Sequence, residues 1–292
     1  MGKFIKTLSC LLVSSIIFAN STIGVKADDN YQTENKVDLS SEEDFDNYVK
    51  SQILSEGDEI IASKDFYFKI NAYNSSDIEI VSEEEYDKAE EKNSTFSGNP
   101  FDNSRSQVST YSTNAGSPIN LPDRYDWIRL KLNVFSLGTP IKNNHYGFSA
   151  NYQWKRKPHI IAGKDVFGIA NDGNVSFDAS TVNGQSIAPT TLSPYGEVKS
   201  YSSKSADIVE DITGIAFKHK LSTGKFDKVT CSGYICVYGN TNQKYSTIGV
   251  SYAHSQLTGS ASVSFNAASA SINVTPSLSF DTITQTASIK FK

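Results

Sequence analysis

From His145 to Trp154 the chain alternates: Tyr146, Phe148, Ala150, Tyr152 and Trp154 fall on one side, Gly147, Ser149, Asn151 and Gln153 on the other. A period of two marks a β-strand with one face on a core. The same rhythm recurs through most of the chain. Phe66, Phe68 and Ile70 alternate with Tyr67 and Lys69, and Ile78 and Ile80 flank Glu79. The stretch from Leu121 to Leu137 is strand-like but shifts parity between Trp127 and Ile128, which predicts a bulge. Thr139-Pro140 and Asn143-Asn144 are turn signals that would fold this stretch onto the 145–154 strand as a hairpin.

Further strands are expected at Val166–Ile169, Val175–Phe177, Ile208–Leu221, Lys228–Tyr238 and Thr247–His254. The intervening Ser180 to Ser205 is rich in Ser, Thr, Pro and Gly and reads as an extended surface loop. After Gly259, Ala261, Val263, Phe265 and Ala267 alternate with polar residues, and Ala268, Ala270, Ile272 and Val274 continue with opposite parity. A turn or bulge must therefore fall between Ala267 and Ala268. Leu278 with Phe280, then Ala287, Ile289 and Phe291, complete the set.

Helical spacing is confined to the N-terminal third. Ser41 precedes Glu42, Glu43 and Asp44, an N-cap followed by carboxylates, with Phe45, Tyr48, Val49, Gln52 and Ile53 behind them and Gly57 as a stop. Ser82 to Lys92 is a second, carboxylate-rich helix with little to bury. The expected fold is mainly β: an antiparallel β-sandwich or barrel-like C-terminal domain preceded by a small acidic α+β segment.

The first residues change the picture of where the chain works. Lys3 and Lys6 precede an apolar run from Leu8 to Ala19, and Val25 and Ala27 stand before Asp28. This is a signal-peptide layout over residues 1–27, with an apolar run shorter than the ~18 to 20 residues of a membrane span. It implies a secreted, extracellular or wall-associated protein, and the short leader and few cysteines fit a bacterium. Charge then divides the remainder. Residues 28–104 carry 21 Asp and Glu against 6 Lys, a net of −15, whereas residues 105–292 carry a net of +7. Residues 93–118 shift to Ser, Asn, Thr and Gly, so 28–92 reads as an acidic unit, 93–118 as a linker and 119–292 as a basic all-β domain.

Candidate chemistry is sparse. Cys231 and Cys236 lie in an export-competent chain; in one extended strand their Cα atoms would be ~17 Å apart, whereas a turn at Ser232-Gly233 would allow a bridge, and the sequence leaves both open. His145, His159, His219 and His254 have no neighbours at ligand spacing, and no H-E-x-x-H or G-x-S-x-G occurs. No catalytic residue, cofactor or metal is assigned. Asp172-Gly173-Asn174 with Asp178 offers oxygen ligands for calcium but lacks the twelve-residue pattern, and is also simply a turn.

The cationic step Lys155-Arg156-Lys157, with Lys164 behind it and Tyr152 and Trp154 before it, could meet an anionic cell-wall polymer or membrane surface. Lysines at a sheet edge equally serve to block edge pairing. No nucleic-acid partner is expected, and the sequence does not give the oligomeric state.

Two functional readings follow. One is a non-enzymatic binding domain for a cell-surface or cell-wall component. The other is a toxin or antimicrobial precursor whose acidic segment is a propeptide, with the alternating strands after Gly259 as candidates for a β-pore.

Overall fold

The computed structural model describes residues 41–71, 77–91, 125–138, 144–155, 158, 163–188, 197–221, 231–256, 261–275 and 280–291. The leader, the 93–118 linker, Arg156 and Lys157 lie outside the described residues.

Among the described residues, fourteen antiparallel strands and two α-helices appear in the order α1 (Glu42–Ile53), β1 (Glu59–Asn71), β2 (Ile78–Val81), α2 (Glu83–Glu91), β3 (Tyr125–Ser136), β4 (His145–Trp154), β5 (Asp165–Asn171), β6 (Ser176–Ala188), β7 (Glu197–Ser202), β8 (Ile208–Asp211), β9 (Gly214–His219), β10 (Ser232–Asn240), β11 (Tyr245–Ser255), β12 (Ser262–Asn266), β13 (Ser271–Thr275) and β14 (Phe280–Lys290). Seven strands form one sheet in the order β2-β1-β3-β4-β10-β6-β7, and five form a second in the order β14-β11-β5-β9-β8.

The alternation seen in the sequence supplies the core between them. Phe66, Phe68 and Ile70 of β1, Ile128 to Val134 at every second position of β3, and Phe148, Tyr152 and Trp154 of β4 meet Phe167, Phe217, Val250, Tyr252 and Ile289 of the second sheet. The fold is thus the expected β-sandwich.

The acidic stretch does not stand apart from it. β1 pairs with β3 from Glu59↔Ser136 to Asn71↔Tyr125, and β3 pairs with β4 as the predicted hairpin. Both helices lie on the outer face of the larger sheet. Ser41 Oγ caps α1 by accepting from the Asp44 amide at 3.1 Å, and α1 buries Phe45, Val49 and Ile53 against Phe135, Ile187, Tyr234 and Cys236. From α2 a single large side chain, Tyr86, packs on Tyr67 and Trp127.

These helices explain the parity shift in β3. Trp127 and Phe135 are buried on the outer face beneath the helices while Ile128 to Val134 alternate inward, so β3 needs no bulge; the register break lies in β1, between Ile60 and Ala62.

The Ser180–Ser205 stretch is corrected more substantially. It holds most of β6 and all of β7, which pair from Asn183↔Ser202 to Ala188↔Glu197. Its small polar residues hide a strand whose apolar contacts are few but buried, Val182, Ile187 and Tyr201, the last stacked on Phe217 at 4.4 Å. The parity reversal after Ala267 is a single 3-10 turn, Ala267–Ser269, ending at Ala270 with φ +45°. It closes the β12–β13 hairpin, which lays Ile272 and Val274 on the outer face of the second sheet.

Candidate functional site

Beside the apolar side chains that receive α1, the outer face of the larger sheet carries a polar strip across β3 and β4. Arg129, Lys131 and Asn133 of β3 stand beside Ser149, Asn151 and Gln153 of β4, with Lys131 directly opposite Asn151 and Arg129 opposite Gln153. Strand alternation places them there: their neighbours Ile128, Leu130, Leu132, Ala150 and Tyr152 take the inner face.

Onto this face α1 lowers one carboxylate. Asp46 accepts from Arg129 Nη1 at 3.1 Å and Nη2 at 2.7 Å, from Lys131 Nζ at 2.6 Å and from Asn151 Nδ2 at 3.1 Å. Two-pronged Arg–carboxylate pairing is among the stronger charge-assisted arrangements. Asp65 of β1 takes Arg129 Nε at 2.7 Å and lies 3.3 Å from Lys131 Nζ, and Glu42 lies 3.5 Å from Arg129.

Burial pushes the Asp46 carboxyl up, but Arg129 and Lys131 outweigh it and hold it below the usual carboxylate range. Glu42, for which burial outweighs Arg129, is instead raised. Asn151 Oδ1, Gln153 Oε1 and Ser232 Oγ, on the same part of the sheet, are buried without a hydrogen-bond partner among the described residues.

The residues singled out around the cationic step are dispersed. Tyr152 and Trp154 point into the sandwich core, 1% and 0% exposed, because they share the inward parity of Phe148, so they offer no stacking surface. Lys155 turns back toward α2: its ammonium donates to the backbone oxygens of Tyr86 and Asp87 and lies 4.2 Å from the Tyr86 ring centroid. Lys164 pairs with Asp207 at 2.5 Å. The four described members of the step and its surroundings therefore contact the chain's own groups and do not form a common patch.

Cys231 and Cys236 are not bridged. The chain between them runs extended into β10, and an odd separation sends them to opposite faces: Cys231 joins the inter-sheet core and Cys236 the layer under α1. Asp172 accepts from Ser246 Oγ at 2.6 Å and the Thr247 amide at 2.8 Å, and Asp178 accepts from Ser180 Oγ at 2.6 Å, so both carboxylates organise turns.

One grouping escaped sequence reasoning. Asp165 at the start of β5, His219 at the end of β9, and Tyr252 and His254 near the end of β11 meet inside the sandwich. Asp165 Oδ2 accepts from Tyr252 OH at 2.5 Å and lies 2.9 Å from His254 Nδ1, while Trp154 Nε1 donates to Tyr252 OH at 3.0 Å. Burial opposes charge on His254, but Asp165 prevails and raises it to about 9; burial pushes His219 down to about 4. Asp165, His219 and His254 are at most 3% exposed, which makes the cluster a buried polar clamp at one end of the sandwich and gives substrate no access. The only hint in the sequence was that all of these residues stand at strand ends.

No family model and no curated protein matches the chain. Among solved structures it is similar to the collagen-binding domain from a Staphylococcus aureus adhesin, at 14% identity over 40% of this chain and 79% of that one, TM-score 0.27. It is also similar to the collagen-binding subdomain of the Enterococcus faecalis surface protein ACE, at 7% identity over 52% and 92%, TM-score 0.30, and to the T6 backbone pilin of serotype M6 Streptococcus pyogenes, at 8% identity over 57% and 46%, TM-score 0.30. At such scores the likeness is confined to β-rich architecture. Among the described residues no helix is long and apolar enough to cross a membrane.

Proposed function

We propose that the chain is an exported, non-enzymatic β-sandwich that binds a cell-surface or cell-wall component, and that its acidic N-terminal segment covers the basic face through which it binds. The observation that carries this reading is the seating of Asp46 on Arg129, Lys131 and Asn151. A sheet face destined only to support a helix gains more from apolar contacts than from buried charges, whose desolvation offsets much of their attraction. A polar, cationic face fits recognition of an anionic partner, and the carboxylates of 41–91 neutralise it within the same chain.

The precursor reading shares this cover and differs in how it is removed. Cutting within 93–118 would leave β1 held by its twelve-residue pairing with β3 until the strand is pulled out. For a pore formed by the C-terminal strands, the structure offers less support: β12 and β13 have five residues each, against ~9 to 11 for a bilayer-spanning strand.

N-terminal sequencing and intact mass of the protein from culture supernatant and from cell wall separate the two. A start near Asp28 supports a cover that stays attached; a start within 93–118 supports a removable one. In either form, Arg129→Gln with Lys131→Gln, checked for folding by its melting curve, should release the protein from envelopes at lower salt than the parent. Unchanged retention would contradict the use of this face.

A further inference from the structure

We infer that the Asp46 seat is a recognition site for a carboxylate on an acidic amphipathic helix of a partner polypeptide, which α1 occupies in its own chain and which the partner takes by displacing α1. This rests on the cover reading above and names the ligand class of the same face.

Three features select the ligand. The first is the shape of the seat. Both Asp46 oxygens are engaged, one by Arg129 Nη1 and Asn151, the other by Arg129 Nη2 and Lys131. With the Asp46 side chain only 12% exposed, the seat accepts a terminal anion on a single stem; an in-chain phosphodiester, flanked by two ester arms, does not fit.

The second is charge. With α1 lifted and β1 in place, Asp65 is the one carboxylate among the described residues left in salt-bridge range of Arg129 and Lys131, leaving one net positive charge for one carboxylate.

The third is the apolar rim. Phe45, one residue before Asp46, and Val49 and Ile53, three and seven after it, enter a trough of Phe135, Ile187, Tyr234 and Cys236. That spacing is one helical stripe, so the face reads an amphipathic helix and has no use for a polysaccharide of uronic acids. Beside the seat, the buried and unpartnered Gln153 Oε1 and Ser232 Oγ provide groups for a further polar contact that α1 leaves unmade.

The test uses the full mature chain and a fluorescent peptide of residues 41–54, the helix that the seat already accepts. Polarisation should show weak binding to the parent chain, where α1 competes, and at least ~10-fold tighter binding to Asp46→Asn, which keeps the side-chain shape and removes the resident charge. The peptide carrying the same Asp46→Asn change should lose the gain. A chain with Asp46→Asn and Arg129→Gln, which leaves neither charge of the principal pair behind, should bind neither peptide above the parent's level.

Equal binding of both peptides, or no gain in Asp46→Asn with an unchanged fold by circular dichroism, overturns the inference. So does preferential capture of polygalacturonate or of a poly(glycerol phosphate) over the peptide. If the peptide fails while the Arg129 and Lys131 substitutions still lower envelope retention, the ligand class falls and the cover reading stands; if both fail, the two fall together.

Discussion

Replacing Asp46 and replacing Arg129 should not cost the same, although they are partners. Asp46→Asn removes a carboxylate that receives four charge-assisted or polar bonds. Neither cation is orphaned, because Asp65 remains 2.6 Å from Arg129 Nη2 and 3.3 Å from Lys131 Nζ. Hydrogen bonds to charged groups contribute ~1.5–3 kcal/mol each, and with both cations still partnered the expected loss is about 2 kcal/mol.

Arg129→Met instead leaves Asp46 and Asp65 sharing Lys131 and takes from Glu42 the cation that lies 3.5 Å from it. Stranding buried carboxylates in this way costs about 3–5 kcal/mol. The double variant should lose less than the sum of the singles, by 1 kcal/mol or more.

Urea unfolding followed by the fluorescence of Trp127 and Trp154 measures all three. The pH dependence adds an independent check. Since the native pKa of Asp46 is depressed, its contribution is complete above the ordinary carboxylate value of ~3.8 and is lost as pH falls through the native value. The gap between parent and Asp46→Asn should therefore close in acid. Equal losses for Asp46→Asn and Arg129→Met, or a gap that persists unchanged in acid, would refute the described seat.

His254, raised to about 9, stabilises the fold fully below its unfolded value of ~6.5, and that contribution is lost as pH rises through 9. His254→Gln should accordingly lose about 3 kcal/mol at pH 6 and match the parent above pH ~10, as read from urea midpoints; a constant difference across that range would contradict a charged His254–Asp165 pair. His219 behaves oppositely, since its lowered value of about 4 means that stability falls as pH drops from 6.5 toward 4, and His219→Gln should flatten that acid limb. Phe68→Ala, at a site 1% exposed on β1, should cost about 3–5 kcal/mol with an unchanged denaturant slope, whereas a separately folded acidic unit would unfold in its own transition. Reductant should leave the melting temperature unchanged, because Cys231 enters the inter-sheet core and Cys236 the layer under α1; a drop on reduction would place a bridge between them.

The sandwich was legible because its strands alternate cleanly: Phe66 to Ile70 and Tyr146 to Trp154 each show which residues face inward. Where both faces of a strand are covered, alternation loses its meaning, as at Trp127 and Phe135, and where the side chains are small and hydroxylated, as in β6, a strand looks like a loop. The cap and apolar stripe of α1 were readable, but not its seat. Asp46 and Arg129 are 83 residues apart, and only the β1–β3 and β3–β4 registers bring Asp65, Arg129, Lys131 and Asn151 together. Tyr152, Trp154 and Lys155 drew attention as a contiguous cluster, yet strand parity sends the first two inward, and Lys155 bonds to the backbone of Tyr86 and Asp87 within α2. Local sequence shows side-chain type and period; the pairing of distant strands decides which charges meet.

Binding of the full mature chain to whole bacterial cells, measured for the parent and for a variant in which Phe45→Ser and Asp46→Asn together loosen α1, tests the covered face most directly. Loosening α1 is predicted to raise retention at low salt, and added salt should reverse the gain. Equal retention by parent and variant at every salt concentration, with the sandwich shown intact by its unfolding transition, would contradict a binding face beneath the acidic helix.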